Sequence, residues 1–315
     1  MVEPEPEALY FTLGGRLLKA LPLRALTLST PFTKLTTDLT AAEPPWDTFP
    51  EDIDAAVVPA QPVDVDPPRW TLLPHSIRYV PTCSARYFVD LRGSFSDYLE
   101  KFSAKPRHNL TRTVRKFAEF SGGQIQWRAF SSTHEMSGFC QLAVEVSTRS
   151  WHERAGGPGF PRSTEFQESI THLAAVGGAR GYVLFHCGRP IAHVLCRALD
   201  DHLFYSRTGY DLSYAEWSPG RVLLYVLLEG LFSEGKYKWL DFGEGTMPYK
   251  EFFSTGHVRC ARIIYLRRNL RNLAIVTAHG SLDSFSRGAG RVLGAVRLKE
   301  RIKGLMMGEL QRPGQ

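Results

Sequence analysis

Two carboxylates, a histidine and a helix opening stand out in this chain of 315 residues as places where chemistry could be done. Asp241 and Glu244 fall at the end of a β-rich run, Tyr237 to Phe242, where the loops of an α/β sheet gather ligands, and either would serve as a base. His193 lies in another β-rich run and titrates near neutral pH without help, which makes it a third candidate base. Ser218, Pro219 and Gly220 precede an almost wholly apolar helix. Serine suits its N-cap, proline its first helical position, and glycine permits close approach, so the amides of Gly220, Arg221 and Val222 are expected to face an anion. Asp211 and Tyr214, in the loop just before, suit the orienting of an acceptor; Trp151, His152 and Trp217 suit the wall of a cleft. Each of these residues also has a purely structural reading as a cap, a turn or a packed ring.

Other chemistries lack support. The five cysteines, Cys83, Cys140, Cys187, Cys196 and Cys260, form no C-x-x-C pair and are odd in number, so free thiols are expected, with neither a metal clip nor a disulfide framework. His186, Cys187, His193 and Cys196 invite a metal, but a two-residue turn at Gly188-Arg189 would face Cys187 with Pro190 and Cys196 with Gly181, at opposite ends of a hairpin. In that register Val183, Phe185, Ala192, Val194 and Cys196 share one face, and Tyr182, Leu184, His186, Ile191, His193 and Arg197 the other. No phosphate-binding G-x-x-x-x-G-K-[ST], zinc-binding H-E-x-x-H or serine-hydrolase G-x-S-x-G sequence is present.

The elements that would position these residues are readable from pattern. With 43% hydrophobic residues the chain can bury a full core. Its longest apolar stretch, Val222 to Leu228, is far short of the roughly 20 residues a membrane span needs. The acidic start, with Glu3, Glu5 and Glu7, is unlike a signal peptide, and a cytoplasmic protein is expected. Residues 1–70 hold 5 Lys/Arg against 11 Asp/Glu, a balance of −6, so the net +6 of the chain comes from a remainder at +12. That basic excess suits an anionic ligand, RNA or an acidic membrane surface.

Residues 1–70 are rich in proline and read as a small loop-rich lobe, with short apolar pieces at Ala25 to Leu28 and Ala55 to Val58. From Ser76 a strand runs through Asp90, followed by a helix from Ser94 or Ser96. Pro106 opens a further helix on which Leu110, Val114, Phe117 and Ala118 repeat at helical spacing, with Arg107, Arg112, Arg115 and Lys116 around them and Gly122-Gly123 as its stop. Then follow a strand (Gln124 to Phe130), a helix (Thr133 to Thr148) and a capped helix from Thr164. Three strands come next, at Tyr182 to Cys187, Ile191 to Ala198 and Leu203 to Thr208. The apolar helix, a strand to Phe242, a helical turn at Tyr249 to Phe253 and a last strand, Val258 to Leu266, complete the series.

This order, together with three segments, resembles the FemAB-related, BioF2-like family of GNAT acetyltransferases, some of them linked to cellulose or exopolysaccharide synthesis. The segments are Lys105 to Arg112, Tyr210-Asp211 followed by Ser218 to Gly220, and Asp241 to Gly245 leading to Tyr249-Lys250. The resemblance implies an α/β (α+β) GNAT-like fold, a mixed sheet flanked by helices, in two lobes of which the first is reduced. It implies acetyl-CoA or another acyl-CoA as co-substrate, no metal, and direct transfer to an amine, with a hydroxyl as the alternative acceptor. The CoA pyrophosphate would lie on the turn of Ser218, Gly220, Arg221 and Val222, although Trp217, Ser218 and Pro219 replace the usual Q/R-x-x-G-x-G/A loop. Tyr249 would protonate the departing thiolate, with Glu244, Asp241 or His193 as base. Trp151, Asp211, Tyr214, Trp217 and Lys250 would bind a small-molecule or glycan acceptor.

The divisions expected are an N-terminal lobe over 1–123 that includes the basic helix, a C-terminal acyl-CoA lobe over 124–268, and a basic helical tail over 269–315. Arg262 to Lys303 holds 10 Lys/Arg and only Asp283 and Glu300 as acids. Leu298, Ile302, Leu305 and Met306 share one face there, expected to pack on the lobe, with an acidic membrane surface as the alternative. Two rival functions share the pattern: an aminoacyl transferase using charged tRNA, and a scaffold of a polysaccharide system that has lost catalysis.

Overall fold

A computed structural model describes residues 4–13, 16–28, 43–150 and 159–285. The described residues up to Cys83 and from Ala261 form one compact unit, and Ser84–Cys260 form a second. In chain order the strands are β1 (Pro4–Leu13), β2 (Arg16–Thr27), β3 (Ala55–Pro62), β4 (Trp70–Leu72), β5 (Ser76–Asp90), β6 (Gln126–Phe130), β7 (Ala179–His186), β8 (Arg189–Leu199), β9 (His202–Tyr210), β10 (Trp239–Glu244) and β11 (Gly256–Arg267). The helices are α1 (Phe95–Glu100), α2 (Ala104–Phe120), α3 (Thr133–Ser147), α4 (Thr164–Ala175), α5 (Pro219–Glu234), α6 (Pro248–Phe253) and α7 over 270–285.

In the first unit the strands follow the order β1-β2-β3-β11-β5, with β4 paired to β5. The loop-rich reading of residues 1–70 is corrected here, because β1 and β2 form a long antiparallel ribbon. Proline was a misleading marker: of those on which the reading rests, Pro59 and Pro62 lie within β3 itself. The two short apolar pieces turn out to be partners, since Ala25, Leu26 and Thr27 pair in parallel with Ala55, Ala56 and Val57. Leu9, Leu23, Ala25, Val57, Ile77, Tyr79, Ile264 and Val276 are buried together in this unit.

The second unit is a mixed α/β layer structure with strand order β5-β10-β9-β8-β7-β6. Only β9 and β10 run parallel; the other pairs are antiparallel. Val222, Leu223, Val226, Leu227 and Leu231 of α5 bury against Tyr182, Leu184, Val194, Leu203 and Leu240 on one face, with Leu110 and Phe117 of α2 in the same cluster. Met136, Phe139 and Ala143 of α3 and Ile170 of α4 cover Val183 and Leu195 on the other. The second unit contains α2, the basic helix assigned by sequence to the first lobe. Among the described residues no helix is long and apolar enough to cross a membrane. The tail face of Leu298 to Met306 lies outside the described residues, as do Trp151 and His152.

Three local expectations are corrected. Helix α2 begins at Ala104, two residues before Pro106. The cap of α4 is Ser163, whose hydroxyl accepts from the Phe166 amide. The hairpin turn is Cys187-Gly188, both at positive φ (49° and 76°), so His186 pairs with Arg189 and Cys196 with Arg180. That one-residue slip exchanges faces, as the two-residue side-chain period requires: Tyr182 and Leu184, rather than Val183, join Ala192, Val194 and Cys196. Cys187 at the turn is exposed, Cys83 is half-buried, and Cys140, Cys196 and Cys260 are buried. Burial also pushes the Cys140 thiol up to about 11. A thiol reagent such as Ellman's should therefore modify Cys187 first in the folded protein, and Cys187→Ser should remove that fast phase; a fast phase unchanged by the substitution would contradict the burial pattern.

Candidate active site

The site begins where two parallel strands part. Strand β10 pairs with β9 from Trp239↔His202 to Asp241↔Phe204, and no further. Beyond that point β9 stays with β8 up to Tyr210, while β10 turns toward β5 through an irregularity between Asp241 and Glu244. Gly243 and Gly245 take the left-handed φ values of 68° and 95° that this loop demands. Openings at the carboxyl ends of parallel strands are where α/β sheets bind ligands.

Tyr249 of α6 stands against this opening. Its ring centroid lies 6.2 Å from Tyr205 and 6.0 Å from Phe242, the next residues on β9 and β10 after their last pair. Tyr205 is buried and donates its hydroxyl to Thr208 Oγ1 at 3.2 Å. Tyr249 is half-buried, and burial pushes its phenol up to about 12, so it keeps its proton at neutral pH and can donate it.

The loop after β10 is pinned on several sides. Asp241 is fully buried and accepts from Arg86 Nε at 2.9 Å, from Arg86 Nη2 at 2.5 Å and from the Gly243 amide at 2.8 Å. Arg86 is itself 2% exposed. With its oxygens taken up by Arg86 and the Gly243 amide inside the protein, Asp241 anchors the loop and is not offered to an acceptor as the expected base. The Gly245 amide donates to Ser84 Oγ at 3.4 Å, and Lys250 Nζ donates to the Glu244 carbonyl at 2.6 Å. The side chain proposed for substrate thus holds the main chain beside Glu244. Burial lowers the Lys250 pKa, against the opposing pull of Glu244, Asp241 and Cys260 nearby. Glu244 is half-buried in the same loop.

His193 is not at this opening. It is 3% exposed, edge-on to Phe160 at 5.3 Å, on the α3 and α4 face of the sheet. Gly209 opposite makes its space, since a Cβ there would stand 2.6 Å from the imidazole. Burial pushes its pKa down to about 3, so it stays neutral near pH 7 and the expectation of a base titrating near neutrality fails.

The opening of α5 also differs from expectation. Ser218 adopts a left-handed conformation (φ 50°, ψ 51°) and its hydroxyl caps nothing, because side-chain capping needs the extended conformation. Its carbonyl instead accepts from the amides of Arg221 at 2.9 Å and Val222 at 3.1 Å. Of the three amides expected to face an anion, only that of Gly220 is without a partner among the described residues. Val222 is fully buried, whereas the Arg221 side chain is exposed, with its guanidinium 5.2 Å from the Phe252 ring.

The preceding turn is built on Asp211. This buried carboxylate accepts from Arg149 Nε at 2.6 Å, the Ser213 amide at 3.0 Å and the Ser213 hydroxyl. Burial alone would raise its pKa, but Ser213 and Arg149 outweigh that and the net direction is down. Asp211 therefore orients the turn from within. Trp217 stacks on Phe120 at 4.0 Å, Phe120 stacks on His186 at 4.1 Å, and Tyr214 meets the His186 ring edge-on at 5.5 Å. These half-buried rings tie the end of α2 to the entry of α5. Sequence reasoning missed Arg86, although a base directly before the apolar run Tyr87 to Val89 in a strand was a signal that a buried acid must face it.

The mixed sheet and its order of strands and helices are those of a GNAT-like α/β fold. Residues 104–251, just under half of the chain, match the family model of the acetyltransferase (GNAT) domain. No curated protein matches the sequence. Among solved structures, the C-terminal domain of an assigned lysylphosphatidylglycerol synthetase from Agrobacterium fabrum aligns at 11% identity over 65% of this chain and 66% of its own, with a TM-score of 0.44. FemX aligns at 9% identity over 61% and 63%, with a TM-score of 0.44. A GCN5-related N-acetyltransferase from Kribbella flavida aligns at 10% identity over 61% and 60%, with a TM-score of 0.33. The chain spans just under two thirds of the length of the first two of these structures.

Proposed function

We propose that the protein transfers an acetyl or longer acyl group from acyl-CoA to an amine, carried by a sugar or an envelope-polysaccharide precursor. The observation that carries this reading is Tyr249, set against one ring from each of β9 and β10 at the first residues after they part. An acyl thioester in the opening places its sulfur beside that phenol. The acceptor nitrogen attacks the thioester carbonyl, the new C–N bond replaces the C–S bond, Glu244 takes the nitrogen's proton, and Tyr249 supplies one to the departing sulfur. The Gly220 amide and the Arg221 guanidinium hold the pyrophosphate at the opening of α5.

A second reading, transfer from a charged tRNA, draws on one observation: Lys105, Arg107, Arg112, Arg115 and Lys116 are all exposed on α2. Calorimetry with acetyl-CoA, a long-chain acyl-CoA and tRNA decides between them. Binding of an acyl-CoA that is lost in Gly220→Leu is the expected result. A Cβ at Gly220 meets only Tyr210, at 3.6 Å, so that variant should fold. Binding of tRNA alone would overturn the reading in favour of the second, and binding of neither would leave a scaffold.

A further inference from the structure

Helix α6, which carries Tyr249, has only six residues and cannot hold its own position. The carbonyls at its C-terminal end, which no intrahelical amide satisfies, are taken by side chains of α1 and its cap. Tyr98 Oη donates to the Phe253 carbonyl at 2.7 Å. Lys101 Nζ donates to the Phe252 carbonyl at 3.1 Å and to the Ser254 carbonyl at 2.5 Å. Three successive carbonyls are thus claimed from one neighbouring element, and a cation there also meets the negative end of the helix dipole. The ammonium lies over two rings, 4.7 Å from the Tyr98 centroid and 4.4 Å from that of Phe102. Phe102 in turn packs on Phe252 of α6 at 4.9 Å. Although much of the Lys101 side chain faces solvent, burial of its charged end pushes the pKa down to about 7. Nothing in the acyl-transfer chemistry above needs this lysine, yet its hydrogen bonds link α1 to the helix that presents the proposed acid.

We propose that Lys101 is a positioning residue for acyl transfer, acting through Tyr249 by clamping the C-terminal carbonyls of α6. The inference rests on the role given to Tyr249. A displaced phenol leaves acyl-CoA binding intact and slows the chemical step, so the signature is in kcat and not in KM.

The test compares the full-length protein with Lys101→Met, Lys101→Arg, Tyr249→Phe and the Lys101→Met/Tyr249→Phe double variant. The reaction is release of CoA from acetyl-CoA with glucosamine, and with hydroxylamine as a surrogate amine. Lys101→Met should lower kcat by about ten- to a hundredfold, with the KM for acetyl-CoA little changed, and Lys101→Arg should restore most of it. The double variant should be no slower than Tyr249→Phe alone, because the two side chains serve one step. Amide exchange of the peptide 248–254 should accelerate in Lys101→Met and return in Lys101→Arg. Unchanged exchange and kcat in Lys101→Met, or losses that multiply in the double variant, would overturn the clamp while sparing the reading of the site. A wild-type protein that binds no acyl-CoA would overturn that reading and the role of Lys101 with it.

Discussion

Replacing Tyr249 by phenylalanine should lower acyl turnover by about a hundred- to ten-thousandfold, the range associated with a lost general acid, while acyl-CoA affinity stays near that of the wild type. The substitution keeps the ring, and with it the contacts to Tyr205 and Phe242, so the fold at the opening is undisturbed. Only the hydroxyl is removed. Burial holds its proton up to about 12, so ionisation of Tyr249 should produce no falling limb in the wild-type rate between neutral pH and about 10. The linkage has the matching sign: a phenol whose folded pKa is raised adds its stability fully below the unfolded value near 10 and loses it as pH climbs toward 12. Steady-state kinetics with calorimetry on the variant make the comparison; unaltered turnover would return Tyr249 to a packing role.

Arg86→Met should be the most destabilising single change in the second unit. It leaves the carboxylate of Asp241, wholly excluded from water, with the Gly243 amide but without its guanidinium. Removing one partner of such a pair costs roughly 3–5 kcal/mol, which for a unit of this size lowers the melting temperature by about 6–20 °C. Asp241→Asn with Arg86→Met should recover part of the loss, since the uncompensated charge goes with the acid. Activity should fall in the single variant even where the protein remains folded, because the loop of Gly243 to Gly245 loses the anchor that presents Glu244. Thermal unfolding followed by circular dichroism measures the first effect. A melting temperature within a degree or two of wild type would mean that the pair is dispensable.

Much of the second unit was legible in the sequence because its signals are local. The apolar helix after Pro219, the succession of strands β7, β8 and β9, and the strand β10 all announce themselves within a dozen residues. What escaped depends on contacts between residues far apart in the chain. The closed pair of Arg86 and Asp241 joins strands separated by 155 positions, and no pattern in either strand names the other. The hairpin turn was misplaced by one residue because glycine draws attention, while Cys187 takes positive φ without advertising it. That small error moved His193 to the wrong environment, which is why a deeply buried imidazole looked like a usable base. The first seventy residues failed for a different reason: β1 and β2 draw their order from pairing, and prolines inside a strand, such as Pro59 and Pro62 of β3, mimic those of a loop.

The division of the chain at Cys83 and Ala261 has a consequence for biogenesis. Residues 261–267 of β11 stand between β3 and β5 in the sheet of the first unit, yet they leave the ribosome only after all of 84–260. Strand β3 must therefore wait for β11, with one edge uncovered, while the whole second unit is made. Loop closure across so long a separation is slow compared with the hairpins of β7, β8 and β9. An uncovered strand edge of this kind is a template for pairing with another chain, so the edge of β3 is the place where a chain made only as far as residue 260 is open to aggregation.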